Sequence, residues 1–89
     1  MSALSIVIVT RDRREELTEL LSDLARLPFS ADDEFAVVDN GSRDGTPERV
    51  RDRFPHVRLI SRGKNCGAPA ARNAGAAATR GDLLVFRRD

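Results

Sequence analysis

Alternating blocks of apolar and polar residues predict the order of strands and helices along the chain. Residues 4–10 form a nearly unbroken β-branched run, which indicates a strand buried on both faces of a parallel sheet. From Asp12 onward the leucines recur at the spacing of one helix face, with Asp12 as a candidate N-cap and Pro28 as the stop. That face consists of Leu17, Leu20, Leu21, Leu24 and Leu27.

The rest of the chain continues this alternation. A second apolar run at 35–38 ends in an Asn-Gly turn, and Thr46-Pro47 begins a short helix. Beyond it, residues 57–60 predict a third strand, residues 69–79 a helix of small residues, and residues 83–86 a fourth strand. The order βαβαβαβ predicts an α/β fold with a parallel, Rossmann-like sheet, right-handed crossovers and helices on both faces.

Sheets of this kind bind ligands beyond the carboxyl ends of their strands, where the strand order reverses. Polar residues stand at those ends in this chain: Thr10, Asp39, Ser42 and Arg88. The two familiar nucleotide loops are missing, because Gly41 and Gly45 do not complete G-x-G-x-x-G and Gly63-Lys64 does not complete a P-loop. A nucleotide site here must therefore use other contacts.

Length and cysteine content narrow the class of protein. A chain of 89 residues allows one small domain. The single cysteine, Cys66, and the single histidine, His56, exclude a disulfide scaffold and a zinc finger, and both side chains are expected to be structural. The apolar runs are too short to span a bilayer, and we expect a cytoplasmic protein.

Charge is unevenly distributed along the chain. Residues 1–54 carry 8 basic against 12 acidic residues, whereas residues 55–89 carry 7 against 2. Fourteen of the 15 basic residues are arginine, whose planar guanidinium suits bidentate contact with phosphate. An anionic ligand near the C-terminal third fits this distribution, and a bias in genomic base composition would explain it as well. Nucleic-acid binding is not expected, because four Phe and no Tyr or Trp leave little stacking surface.

Two motifs carry a resemblance to a known family. Residues 37–46 read VVDNGSRDGT and residues 65–75 read NCGAPAARNAG, each after a predicted strand. Together with the opening strand and Arg13, they resemble the family 2 glycosyltransferases, which have the A-type glycosyltransferase fold. The resemblance extends over essentially the whole chain, and it implies that residues 1–89 are a single, incomplete domain, the nucleotide-sugar-binding half of that fold.

The resemblance implies roles for individual residues beside simpler structural ones. Asp39 would recognise the nucleotide base, or it could cap the turn that follows it. Thr10 and Ser42 would be further nucleotide contacts, or they could cap turns, and Arg72 would face the diphosphate, or it could be solvated or paired with an acid. Turn and helix-end roles are expected for four further residues: Asp44, Thr46, Asn65 and Asn73.

The chain departs from the family at its last residues. The family places an Asp-x-Asp or Asp-Asp motif after the fourth strand, where a carboxylate binds a divalent cation, Mg²⁺ or Mn²⁺. Here Arg88 takes the first carboxylate position, and Asp89 remains as a metal ligand. Metal binding is therefore in doubt, and we expect Arg88 either to contact phosphate directly or to lie in a frayed tail. The acidic run at 32–34 is expected to be a solvated segment rather than a metal site.

The predicted function is that of a nucleotide-sugar-dependent glycosyltransferase, of which this chain is the donor-binding half. The resemblance implies an inverting displacement with an acceptor-activating carboxylate, which the family places beyond the metal motif, so the 89 residues alone are expected to be inactive. The alternative is a non-catalytic nucleotide-binding or interaction module derived from a truncated glycosyltransferase. The fourth strand, left near a sheet edge, predicts a homodimer.

Overall fold

The computed structural model describes residues 4–29, 31–64, 67–77 and 82–88. They form one four-stranded parallel sheet with the strand order β3-β2-β1-β4. The strands are β1 (Leu4–Thr10), β2 (Glu34–Asp39), β3 (Arg58–Ser61) and β4 (Asp82–Arg88). The helices are α1 (Arg14–Leu24), α2 (Thr46–Arg53) and α3 (Ala68–Ala77). The predicted α/β class and the βαβαβαβ order are confirmed.

Helices cover both faces of the sheet. One face packs on α1 and α2 through Ile6, Ile8 and Val37, which are at most 1% exposed. The opposite face presents the intervening residues of the same strands to α3, among them Val7 and Val38, which are fully buried. Because successive strand residues point to opposite faces, β1 is buried on both sides, as its unbroken apolar sequence predicted.

The small-residue helix α3 lies unusually close to the sheet. Ala71 is fully buried, and a Cβ built on Gly75 would lie 2.3 Å from Cγ1 of Val7 and 3.1 Å from Cγ2 of Val38. Contacts below 3 Å are not tolerated between carbon atoms, so only glycine fits at position 75 without movement of the sheet or helix. Close packing therefore accounts for the small residues of this helix.

Helix α1 is shorter than the leucine spacing predicted. It ends at Leu24, after which the N–H groups of Arg26 and Leu27 bond to the carbonyls of Asp23 and Leu24 in tighter turns. Leu17, Leu21 and Leu24 are buried as expected, but Leu27 is 53% exposed. The prediction of Leu27 as part of the packed face was wrong, because the chain turns away one helical turn before Pro28.

Candidate functional site

The carboxyl edge of the sheet brings three of the predicted site residues to one level. Thr10 pairs in register with Asp39 of β2 on one side and with Arg88 of β4 on the other. The strand order reverses between β1 and β4, since the chain runs outward through β2 and β3 before it crosses back to β4. The crevice expected for a ligand in an open α/β sheet therefore lies at this edge, beside Thr10.

Asp39 is a buried carboxylate with one oxygen held and the other without a partner. The residue is 1% exposed, and its Oδ2 accepts a hydrogen bond from the backbone N–H of Ser42 at 3.0 Å. Among the described residues, nothing donates to Oδ1. Leaving a buried polar atom unsatisfied costs about 1–3 kcal/mol, and more for a charged group. Folding alone gives no reason for this arrangement, whereas a ligand that donates a hydrogen bond would.

Thr10 repeats the pattern on the neighbouring strand. The residue is fully buried, its carbonyl accepts the N–H of Asn40 at 2.9 Å, and its Oγ1 has no hydrogen-bond partner in the described part of the chain. Thr10 follows Ile8 and Asp39 follows Val37 at a spacing of two, so both side chains lie on the face that packs on α1 and α2. Two unsatisfied polar atoms thus stand on adjacent strands and on the same face.

Ser42 closes the turn that follows β2. Its N–H binds Asp39, and its Oγ accepts the backbone N–H of Asp12 at 2.8 Å. The hydroxyl therefore serves the turn, which was one of the two roles expected for it. The glycine before it, Gly41, has a φ of +89°, a backbone conformation that favours glycine and confirms the Asn-Gly turn predicted from the sequence.

Asp12 does not cap α1, contrary to the prediction. The N-cap position is occupied by Arg13, which makes no side-chain capping bond. Asp12 instead takes a left-handed conformation with a φ of +51°, and its Oδ1 accepts the N–H of Arg43 at 2.7 Å. With the bond from its own N–H to Ser42, Asp12 ties the loop after β1 to the loop after β2. This link could not be predicted from the sequence, because the bonded residues are about 30 positions apart.

The capping role passes to Asp44, which serves two helices. Oδ2 accepts the N–H of Arg14, the first residue of α1, at 3.0 Å, and Oδ1 accepts the N–H and the hydroxyl of Thr46, the first residue of α2. Burial raises the pKa of Asp44, but the hydrogen bonds from Thr46 and Arg14 outweigh it and hold the pKa below its ordinary value. Asp44 has the helix-end role that was expected, although Gly45 occupies the N-cap position of α2, and its bond to α1 was not predicted.

The remaining predicted ligands are described only in part. Arg72 lies in the second turn of α3, and Arg88 is the last residue of β4; the structure places their backbones. Asp89, the candidate metal ligand, and Asn65 and Cys66 lie outside the described residues.

No group of three His, Cys, Asp or Glu side chains in the described ranges could hold a metal ion. The acidic run at 32–34 has a structural use instead, at the opposite edge of the sheet. Asp33 Oδ1 accepts the N–H of Leu4 at 2.8 Å, and the hydroxyl of Ser5 donates to Glu34 Oε1 at 3.3 Å. The expectation that this run is merely solvated holds for Asp32, which is exposed, and was wrong for Asp33 and Glu34, because they join the starts of β1 and β2.

Comparison with known proteins identifies the family. The sequence model described as glycosyl transferase family 2 matches residues 5–87, and the chain belongs to this family. An uncharacterized glycosyltransferase of Haemophilus influenzae is 34% identical over 86 residues, which cover 97% of this chain and 29% of that protein. An N-acetylglucosaminyl-diphospho-decaprenol L-rhamnosyltransferase of Mycobacterium tuberculosis is 37% identical over 70 residues, which cover 79% of this chain and 22% of that protein.

A solved structure shows the same fold. A mannosyltransferase from Pyrobaculum calidifontis, in complex with GDP-Man and Mn²⁺, superposes with a TM-score of 0.84 at 23% sequence identity. The match covers 94% of this chain and 26% of that protein, and it supports the A-type glycosyltransferase architecture predicted from the sequence. The chain thus spans less than a third of the length of each of these three proteins. In the described residues, no helix is long and apolar enough to cross a membrane.

Proposed function

We propose that this chain is the donor-binding part of a nucleotide-sugar-dependent glycosyltransferase and that Asp39 and Thr10 contact the nucleoside. The observation that carries the proposal is the pair of unsatisfied atoms, Asp39 Oδ1 and Thr10 Oγ1, buried on adjacent strands at the carboxyl edge. A carboxylate accepts hydrogen bonds from a base N–H or a ribose hydroxyl, and a threonine hydroxyl both donates and accepts. A nucleoside offers all of these groups within a few ångströms.

The relatives support the substrate class. The mannosyltransferase with the same fold was solved with GDP-Man, a nucleoside-diphosphate sugar, and the mycobacterial relative is named as an L-rhamnosyltransferase. We propose a nucleoside-diphosphate sugar as the donor for this chain and an inverting transfer for the whole protein. The donor half spans residues 1–89 in this proposal, and sugar transfer by this chain alone is not expected. The cytoplasmic location and the absence of nucleic-acid binding stay predictions.

The diphosphate would lie beside β4 and α3. Arg88 is paired in backbone register with Thr10, next to the crevice, and Arg72 is near the N-terminal end of α3, where backbone N–H groups favour an anion. Both guanidinium groups are proposed as phosphate ligands. The described residues do not supply a set of metal ligands, and Asp89, as the one remaining carboxylate of the family motif, would hold a divalent cation only weakly.

Titration calorimetry with UDP, GDP and dTDP tests the proposal. Asp39→Asn retains an oxygen for the Ser42 N–H but replaces the free acceptor by an amide donor. Hydrogen bonds to charged groups contribute about 1.5–3 kcal/mol, so this variant should bind the preferred nucleotide about ten- to a hundredfold more weakly. Asp52→Asn, an exposed change of the same charge on α2, is the control and should bind like the parent.

The proposal would be overturned if the parent bound none of the nucleoside diphosphates. It would also be overturned if Asp39→Asn bound as tightly as the parent while both chains were folded by circular dichroism.

A further inference from the structure

A chain of hydrogen bonds runs from the loop after β1 to the carboxylate of Asp39. The Arg43 N–H donates to Asp12 Oδ1 at 2.7 Å, and the Asp12 N–H donates to Ser42 Oγ at 2.8 Å. Ser42 in turn donates its own N–H to Asp39 Oδ2 at 3.0 Å. Asp12 therefore holds the turn at two points, the Ser42 hydroxyl and the Arg43 N–H, and the N–H of Ser42 in that turn holds one oxygen of Asp39.

The position of this turn sets the direction in which the unpaired oxygen of Asp39 points. Among the described residues, the Ser42 N–H donates a hydrogen bond to Oδ2 of Asp39, and no group donates to Oδ1. Rotation about the last side-chain bond of an aspartate is soft, so a carboxylate with one anchored oxygen has a defined orientation and an unanchored one does not. Any displacement of Ser42 would therefore displace the unsatisfied Oδ1 as well.

The backbone at Asp12 shows that this arrangement is held against a local cost. Asp12 has a φ of +51°, and in the described ranges every other residue with a positive φ is a glycine. Aspartate and asparagine tolerate this region better than other side chains, but strain of this kind persists only where the surrounding structure imposes it, and it concentrates at functional sites. Asp12 is also exposed, so its position is not explained by core packing.

We propose that Asp12 is a positioning residue for nucleotide binding, which orients the Asp39 carboxylate through the turn at Ser42 and Arg43. The proposal rests on the nucleotide role proposed for Asp39. Asp12 itself need not touch the nucleotide. Its side chain also lies 3.9 Å from Nε of Arg11, an exposed ion pair that contributes little and whose loss the variants below control for.

Three substitutions at position 12 separate the carboxylate oxygen from the backbone conformation. Asp12→Asn keeps an oxygen acceptor for Arg43 and tolerates the positive φ, but it loses the charge toward Arg11. Asp12→Gly keeps the positive φ and loses the acceptor. Asp12→Ala loses both. Asp33→Gly is the matched control, because Asp33 also accepts a backbone N–H across β1 and β2, at 2.8 Å from Leu4, at the far edge of the sheet.

Each variant is titrated with the nucleoside diphosphate that the parent prefers, well below its unfolding temperature. Asp12→Gly should bind about tenfold more weakly, as expected for one misplaced hydrogen bond to a charged group, and Asp12→Asn should stay close to the parent. Asp33→Gly should lose thermal stability without losing affinity. A purely structural role for Asp12 predicts the behaviour of Asp33→Gly, with lower stability and the affinity of the parent.

Carbon-detected NMR of the ligand-free chain gives a second readout. The side-chain carboxyl resonance of Asp39 should shift in Asp12→Gly and remain in place in Asp12→Asn and Asp33→Gly. Unchanged affinity and an unchanged Asp39 resonance in Asp12→Gly would overturn the positioning role alone, provided that Asp39→Asn still weakens binding. A parent chain that binds no nucleoside diphosphate would overturn the proposed function and this inference together.

Discussion

Gly75 of α3 and Val7 of β1 are packed so closely that a Cβ on the glycine would lie 2.3 Å from Cγ1 of the valine. Val7 is fully buried in the central part of the sheet and has a β-branched side chain with few alternative rotamers. The valine cannot move aside as the end of a flexible side chain would. The contact fixes the distance of α3 from the sheet, and with it the position of the helix that carries Arg72.

Gly75→Ala should therefore destabilise the chain although alanine is the better helix former. Overpacking costs about 1–3 kcal/mol and the gain in helix propensity is about 1 kcal/mol, so we expect a net loss of up to about 2 kcal/mol. Urea unfolding followed by circular dichroism measures it. In a double-mutant cycle, Val7→Ala should recover part of the loss, because it removes the methyl group that clashes. Additive effects of the two substitutions would contradict the contact.

Asp44 should make the stability of the chain depend on pH. Its pKa in the folded chain is below the ordinary value of 3.8, because the hydrogen bonds from Thr46 and Arg14 favour the carboxylate. A lowered pKa stabilises the folded state above the ordinary value, and this contribution is lost as the pH falls through the folded pKa. Asp44→Asn removes the titration while keeping one oxygen for Thr46.

The free energy of unfolding of Asp44→Asn should be lower than that of the parent by about 1 kcal/mol at neutral pH, because the amide loses the acceptor for the Arg14 N–H and the negative charge at the start of both helices. The difference should shrink below the ordinary pKa, where the parent also becomes protonated. Denaturant titrations at neutral and acidic pH measure both quantities. A difference that stays constant or widens in acid would contradict the role of the charged form.

The strands and helices could be predicted from the sequence because each one is a local pattern. The β-branched run of residues 4–10 indicates a buried strand, and the small residues of α3 indicate close packing. The polar links are different, because their partners are distant in sequence. Asp12 was expected to cap the helix next to it and instead binds Ser42 and Arg43, which are adjacent to it only after β1 and β2 have paired.

For the candidate site as well, the residues could be predicted from the sequence but their hydrogen bonds could not. Asp39 and Thr10 could be selected from the sequence, because the carboxyl ends of parallel strands are known ligand positions. The sequence does not show that each of these side chains keeps one buried atom without a hydrogen-bond partner. That outcome depends on which N–H groups of the folded loops lie within hydrogen-bond distance. The hydrogen bond from Asp44 to the start of α1 could not be predicted either, because Arg14 is about 30 residues away in the sequence.

Thr10→Val should separate stability from binding. The substitution replaces a buried hydroxyl that has no partner in the described residues by a methyl group of similar shape, in a strand that favours β-branched residues. The free energy of unfolding should stay the same or rise by up to about 1 kcal/mol, while nucleotide affinity falls about three- to tenfold through the lost hydrogen bond. Calorimetric titration and thermal unfolding of the same samples test it. Lower stability with parental affinity would contradict a ligand role for the hydroxyl.

The edge strand β4 predicts association of the chain with itself. β4 pairs with β1 on one side, and in the described residues no strand lies beyond it, so half of its backbone hydrogen-bonding groups face outward. We expect a homodimer, or larger species, at micromolar concentrations, formed by pairing of β4 with a second copy. Sedimentation velocity over a dilution series measures this directly. A single monomeric species throughout the series would contradict the prediction.

Nucleoside diphosphate binding by this chain should be largely independent of divalent metal. Arg88 stands at the end of β4, in backbone register with Thr10, where the family resemblance expects a carboxylate. A guanidinium repels a cation and can itself bind phosphate through two parallel hydrogen bonds, whereas Asp89 alone offers too few oxygens to hold Mg²⁺ or Mn²⁺ firmly. The positive charge that the phosphates need would then come from the protein.

Affinity measured with Mn²⁺ and then with a chelator, in the parent and in Arg88→Asp, checks this expectation. The parent should bind equally well under both conditions. Arg88→Asp should bind more weakly in chelator, because it replaces a cation by an anion beside the phosphates, and should recover affinity when Mn²⁺ is added. Arg58→Asp, an exposed change of the same charge at the start of β3, should not acquire metal dependence. A parent chain that loses binding on chelation would show that Asp89, or another group of the parent, holds the metal after all, and that Arg88 does not replace it.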